Sequence, residues 1–232
     1  MTALFDSGWY ETATRFAART GWLHTPVVLF TTYGLVLLVA LQVVVWWKAR
    51  DRDDATMAVA LAVPVATLAA FGVDDAVKLV FAEPRPCQVF GDVVTVLPCD
   101  PPGDYSFPSD HSALAAAMAV GVLLVHRVLG VVAAVVALAM AASRVYVGAH
   151  YPHDVVMGLL VGAIVAAVFC LTARTVLPRF VGQWRRGPLR PLVSAGAPVA
   201  ATRGGSRWTT GSSCRDRCWR WCCWCSWPLP RW

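Results

Sequence analysis

Charge is scarce in this chain. Only 15% of its 232 residues are Asp, Glu, Lys or Arg, against about a quarter in an ordinary soluble domain. Lysine is almost missing: Lys48 and Lys78 are the only two among twenty basic residues. With 57% of positions hydrophobic, there is too little polar surface for an aqueous globule and too much apolar surface for a disordered chain. The net charge of +6 does not mark a nucleic-acid partner either. From residue 174 onward there are eleven basic residues against one acid, Asp216, whereas the first 173 residues hold nine basic and thirteen acidic ones. The basicity therefore belongs to the C-terminal tail, where it reads as a cytoplasmic flank or a contact with anionic lipid.

What the chain does have is long apolar runs. Residues 27–47 are 21 positions without a charge, enough to cross the hydrocarbon core of a bilayer. Residues 55–73 form a second run, with Pro64 tolerable in a packed membrane helix. Residues 112–125 and 128–142, parted by His126 and Arg127, predict a tight helical hairpin, and 155–173 is the fifth run. Near the N-terminus, Trp9, Tyr10, Phe16 and Trp22 alternate with Glu11, Arg15 and Arg19, which suits a helix lying in the membrane interface and not a cleavable signal peptide.

The expected fold is all-α: a polytopic integral-membrane bundle of about five transmembrane helices plus an N-terminal interfacial helix. Residues 1–26 form the interfacial segment, 27–175 the transmembrane domain and 176–232 the tail. Lys48, Arg50, Arg52, Arg127, Arg174, Arg179, Arg185, Arg186 and Arg190 then share one side, cytoplasmic by the positive-inside rule. Residues 82–108 and 143–154 face outward. The last 30 residues hold six of the eleven Trp and five of the eight Cys. The spacings of Cys214, Cys218, Cys222, Cys223 and Cys225 fit no zinc module. Trp, Cys and Arg are what a GC-rich gene yields in a wrong frame, so this end reads as a shifted terminus.

Ionisable residues at membrane depth are costly and default to function. Here they gather at span ends on the outward side. Lys78, Arg85 and Arg144 supply three fixed positive charges, Arg with a planar fork suited to phosphate oxygens. Pro108-Ser109 ahead of an apolar run reads as a helix start with Ser109 as N-cap, and the N–H groups there seat an anion. Pro152 suits a first helical position, which puts Asp154 in the first turn with His150 just ahead. A carboxylate there accepts from one imidazole nitrogen and leaves the other as nucleophile, while His111 remains as general acid. Each residue has an ordinary explanation: Lys78 could pair with Asp74 one turn earlier, Arg85 could be a loop residue, Arg144 could snorkel, and His153 could be turned away by its helix. Their coincidence on one side of the membrane favours a phosphoryl-transfer site.

Lys-x6-Arg-Pro at 78–86, Pro-Ser-x-His at 108–111 and Ser-Arg-x5-His-x3-Asp at 143–154 resemble the three signatures of the type 2 phosphatidic acid phosphatase superfamily. The resemblance implies a metal-independent phosphatase without cofactor that works through a phosphohistidine. In it His150 is the nucleophile, Asp154 orients it, His111 protonates the leaving oxygen, and Lys78, Arg85, Ser109, Ser143 and Arg144 hold the phosphoryl group. Asp110 stands where many members have Gly. The Pro-Ser-Asp-His form resembles the bacitracin-resistance-type undecaprenyl-diphosphate phosphatase branch, with Asp110 as a modulator that pairs with Arg85, orients His111 or sets the site for a diphosphate. The implied substrate is a polyprenyl diphosphate, hydrolysed on the extracytoplasmic side of the cell membrane. Within the family the alternative is a phosphatidylglycerophosphate or phosphatidic acid phosphatase; outside it, a transporter or channel, or a metalloenzyme using His111, His150, His153 and Asp154. Cys87 and Cys99 flank the outward loop, where an oxidising compartment favours a disulfide.

Overall fold

The computed structural model describes residues 6–91, 93 and 95–195. The Trp- and Cys-rich end, with the frame and metal readings attached to it, lies outside them. All regular structure among the described residues is helical. A short α1 (Ser7–Arg19) leads through one 3-10 turn (Gly21–Leu23) into α2 (His24–Ala49). There follow α3 (Asp54–Phe81), α4 (Pro86–Val89), α5 (Asp110–Val125), α6 (Arg127–Tyr146), α7 (Pro152–Val176), α8 (Pro178–Trp184) and α9 (Arg190–Val193).

Four helical stretches are long and apolar enough to cross a membrane, and α5, the third apolar run, is a shorter apolar helix. Its 16 residues span about 24 Å at about 1.5 Å per residue. It can be short because it is enclosed: α2, α3, α6 and α7 all pack on it. The second apolar run ends at Val73, yet α3 continues to Phe81 and carries Asp74 and Lys78 into the bundle, both buried. Charge does not end this helix because these side chains point into protein and not into lipid. Asp53 starts α3, its Oδ1 accepting from the Thr56 N–H at 2.6 Å.

Small residues set the helix spacing. Ala113, Ala115 and Ala117 of α5 are fully buried. A Cβ on Gly158 of α7 would lie 2.4 Å from the Ser109 carbonyl oxygen, and one on Gly162 would lie 2.0 Å from that of Ala113. This Gly-x-x-x-Gly step lets α7 lie backbone-to-backbone on α5, and it brings the start of α7 beside the start of α5. Large apolar side chains such as Leu68, Val80, Val128 and Val135 point outward instead, as a lipid-facing surface requires. Helical structure also continues past residue 175, where the sequence suggests a tail. Val181 of α8 and Val193 of α9 are buried against Ala49, Met57 and Ala58, and Arg185 pairs with Asp54 at 2.9 Å.

Candidate active site

The chain direction alternates through α3, α5, α6 and α7, so the end of α3, the start of α5, the end of α6 and the start of α7 meet at one end of the bundle. His150 lies in the short link between α6 and α7, 1% exposed. Gly148, two residues earlier, has φ +81° and would bring a Cβ to 2.7 Å from Thr95, so the turn that presents His150 depends on glycine. The Nδ1–H of His150 donates to the Ser106 carbonyl at 2.9 Å, and Asp154 Oδ2 lies 3.5 Å from the same nitrogen. That leaves Nε2 as the unprotonated nitrogen, 3.4 Å from Arg85 Nη1. Asp154 is fully buried. Its Oδ2 accepts from the Ser106 hydroxyl and from the Tyr151 N–H at 2.8 Å, which ties the carboxylate to the N-cap residue of α7. Burial lowers the His150 pKa below the ordinary histidine value; Asp154 pulls it back up, and Arg144 and Arg85 add to the lowering.

The three cations are brought to this end, each already held. Lys78 Nζ donates to Asp110 and is almost fully buried. Arg85 is gripped by Asp100 at 3.1 Å and Asp104 at 3.0 Å, and its Nη1 donates to the Ala149 carbonyl at 3.1 Å. Arg144 donates from Nη1 to the Thr31 hydroxyl on α2 at 3.3 Å, while its Nε is buried without a hydrogen-bond partner. A cavity of about 210 Å³ lies between the Cys87–Ala149 loops, lined by Arg144, Asp100, Thr95 and Gly148 among others. His111 is half-buried, within electrostatic reach of His150, Arg144, Asp110 and Lys78.

Several expectations change in detail. Asp110 pairs with Lys78 and not with Arg85, because α3 and α5 run side by side while Arg85 is taken by the loop carboxylates. Lys78 in turn reaches across to α5 for its short contact, and the buried Asp74 lies within hydrogen-bonding reach of the same Asp110 carboxyl. Ser109 occupies the N-cap of α5 but makes no side-chain cap bond; its hydroxyl accepts from Ser112 at 3.2 Å. The Ser143 hydroxyl turns back to donate to the Met140 carbonyl at 2.7 Å, as a helical serine does when nothing else is in reach. Cys87 and Cys99 are joined by a disulfide, which anchors the start of the segment that carries Asp100 and Asp104.

Sequence reasoning missed Ser106, Asp100, Asp104 and Thr31, common polar residues whose partners are 15 to 113 positions away. It gave His153 a place only in the metalloenzyme alternative. The structure places that ring 3.1 Å from Asp154 Oδ1 and 3.4 Å from Glu83 Oε2. The donor atoms of Glu83, His153 and Asp154 lie within 4.8 Å of one another, so the His153 ring sits between two carboxylates.

A buried imidazole with one nitrogen hydrogen-bonded and the other beside an arginine, ringed by cations at the end of an apolar helical bundle, is the site of a membrane phosphatase. Residues 55–177 match the PAP2 superfamily, and the chain belongs to it. Relatives agree. The chain is 31% identical over 147 residues to the undecaprenyl-diphosphatase BcrC of Bacillus subtilis, covering 63% of this chain and 73% of that one. It is 30% identical over 149 residues to the bacitracin transport permease protein BcrC of Bacillus licheniformis, covering 64% and 71%. Over a shorter stretch of 70 residues it is 43% identical to a decaprenylphosphoryl-5-phosphoribose phosphatase of Mycobacterium tuberculosis, covering 30% and 38%. The protein is thus a multi-pass membrane phosphatase that acts on lipid phosphates.

Proposed function

We propose that the protein hydrolyses a polyprenyl diphosphate to the monophosphate and inorganic phosphate on the extracytoplasmic side, through a phosphohistidine on His150. The observation that carries the mechanism is the ring of His150: its Nδ1–H donates to the Ser106 carbonyl, so the Nε2 lone pair faces Arg85. Nε2 attacks the terminal phosphorus, the bond to the bridging oxygen breaks, and His111 gives that oxygen its proton. Water then attacks the phosphohistidine, returning one proton to His111 and releasing phosphate. Lys78, Arg85 and Arg144 stabilise the charge that spreads over the phosphoryl oxygens, with Ser109 at the start of α5 beside them.

The polyprenyl class is supported by relatives whose names share a polyprenyl phosphate, and by a buried polar pocket at the end of a lipid-facing bundle. The outward side is supported by charge. Lys48, Arg50, Arg52, Arg127 and Arg174 all sit at the helix ends opposite the site, the arrangement of the positive-inside rule.

The test is phosphate release from undecaprenyl diphosphate by detergent-purified protein in EDTA, wild type against His150→Ala. Metal-independent release that disappears in the variant is expected. Faster release from phosphatidylglycerophosphate or phosphatidic acid would move the substrate to glycerolipids, and loss of wild-type release in EDTA would replace the phosphohistidine with a metal-dependent route.

A further inference from the structure

The N-terminal helix lies outside the residues matched to the family, yet it reaches the catalytic pair. Asp6 is the N-cap of α1 and makes no side-chain bond to its own helix. Its carboxylate instead accepts from the His153 backbone N–H at 2.8 Å, and both of its oxygens lie 3.1 Å from His153 Nδ1. The other ring nitrogen faces Glu83 and Asp154. With carboxylate oxygens on both sides, both nitrogens serve as donors, as they do only in the doubly protonated ring. One turn along α1, the Tyr10 hydroxyl donates to the Gly148 carbonyl at 3.1 Å, two residues before His150. Burial pushes the Tyr10 phenol up to about 12, so it remains a donor throughout the working range.

Asp154 has two buried oxygens with different company. Oδ2 is held by Ser106 and Tyr151, but Oδ1 has no hydrogen bond, and the His153 ring is the charge set against it. A buried carboxylate oxygen without that charge is costly and would turn to find a donor. Any such turn shifts Ser106, whose carbonyl fixes the His150 ring. The His153 ring is itself fixed between Tyr151, stacked at 5.4 Å, and Phe107 at 5.6 Å.

We propose that His153, gripped by Asp6 of α1, is a positioning residue for the Asp154–His150 pair, so that the N-terminal helix belongs to the catalytic apparatus. The proposal rests on the phosphohistidine reading for its effect on turnover, but not for its effect on the His150 ring. His150 is faced by Asp154 on α7, Arg144 on α6, Arg85 ahead of α4, and Asp110 and His111 on α5. None of these loses its charge when His153 does. Removing the positive charge beside Asp154 leaves the carboxylate less compensated, so the His150 titration moves to higher pH.

The experiment compares full-length wild type, Asp6→Asn, His153→Gln and the double variant on undecaprenyl diphosphate in EDTA. The His150 ring titration is followed in micelles by nitrogen-15 NMR, which needs no turnover. Each single variant should lower kcat roughly tenfold to a hundredfold with KM within about twofold, since contacts to the substrate are untouched. The acid limb of kcat/KM should move up in pH, and the double variant should be no worse than His153→Gln, as expected of one coupled chain. Asp6→Glu, which keeps the carboxylate, should recover turnover; it also decides the matter if His153→Gln does not fold, because recovery by Glu but not by Asn requires the charge contact. Unchanged kcat and an unmoved His150 titration in folded Asp6→Asn and His153→Gln would overturn the proposal. A wild type that releases no phosphate while the variants still move the His150 ring would overturn the functional reading and leave the positioning role standing.

Discussion

At the scale of single residues, the site works by holding each functional group between fixed neighbours. In the proposed mechanism His150 must be neutral to attack. Because its pKa lies below the ordinary value, kcat/KM should hold as pH falls through about 6.5 and decline only below it. A pH–rate profile in mixed micelles checks this, and an acid limb above neutrality would contradict the assignment. Arg85 touches Asp100, Ala149 and His150 through Nη1 and Asp104 through Nη2. Arg85→Lys keeps the charge but not the fork, and should cost about 1.5–3 kcal/mol of transition-state stabilisation, roughly tenfold or more in kcat/KM. The residues with reactive or charged side chains were legible in the sequence because their type and spacing are unusual in an apolar chain. Ser106, Thr31 and Asp6 were not, because a serine, a threonine and an aspartate near turns are ordinary until the fold supplies their partners.

At the scale of helices, caps and close approaches decide where the site groups stand. Asp53 caps α3, and its hydrogen bond from Thr56 holds its pKa below the usual carboxylate value. The cap is therefore present at neutral pH and is lost as pH falls through that lowered value, below about 3.9. Asp53→Ala should lower stability by about 1 kcal/mol at pH 7, with the difference closing in strong acid; thermal melts in micelles across pH measure it. Gly162 is where α7 touches the α5 backbone. Gly162→Val should force the pair apart at a cost of about 1–3 kcal/mol, and should lower activity as well, since Ser109 and Asp154 are joined across this interface by the Ser109 N–H at 3.1 Å.

At the scale of the whole molecule, the bundle separates two environments. The site end carries the disulfide Cys87–Cys99 and the loop carboxylates that hold Arg85; the other end carries the surplus of arginine. Cysteines introduced at Asp51 and at Pro102, both exposed, in a chain lacking its other free thiols, report the orientation directly. An impermeant maleimide applied to intact cells should label the second and spare the first; the reverse pattern would place the site in the cytoplasm. Reduction of the disulfide should loosen the Arg85 loop and raise KM more than it lowers kcat, measured by phosphate release before and after thiol treatment.

The sequence by itself determined the class of fold and the reacting groups. Apolar runs of bilayer length admit only helices or closed barrels, and the helical lengths chose between them; clustered charges at the ends of those runs had to serve chemistry. Which groups meet was decided by tertiary structure. Lys78 lies four residues from Asp74 but makes its short contact with Asp110, His153 was as free to face lipid as to face Asp154, and α1 had the composition of a surface helix. Each outcome depends on the distance and angle between helices, set by glycine and alanine contacts such as Gly158 on Ser109 and Gly162 on Ala113. Those small residues carry no chemical signal in a sequence rich in both, and their meaning exists only once two backbones are in contact.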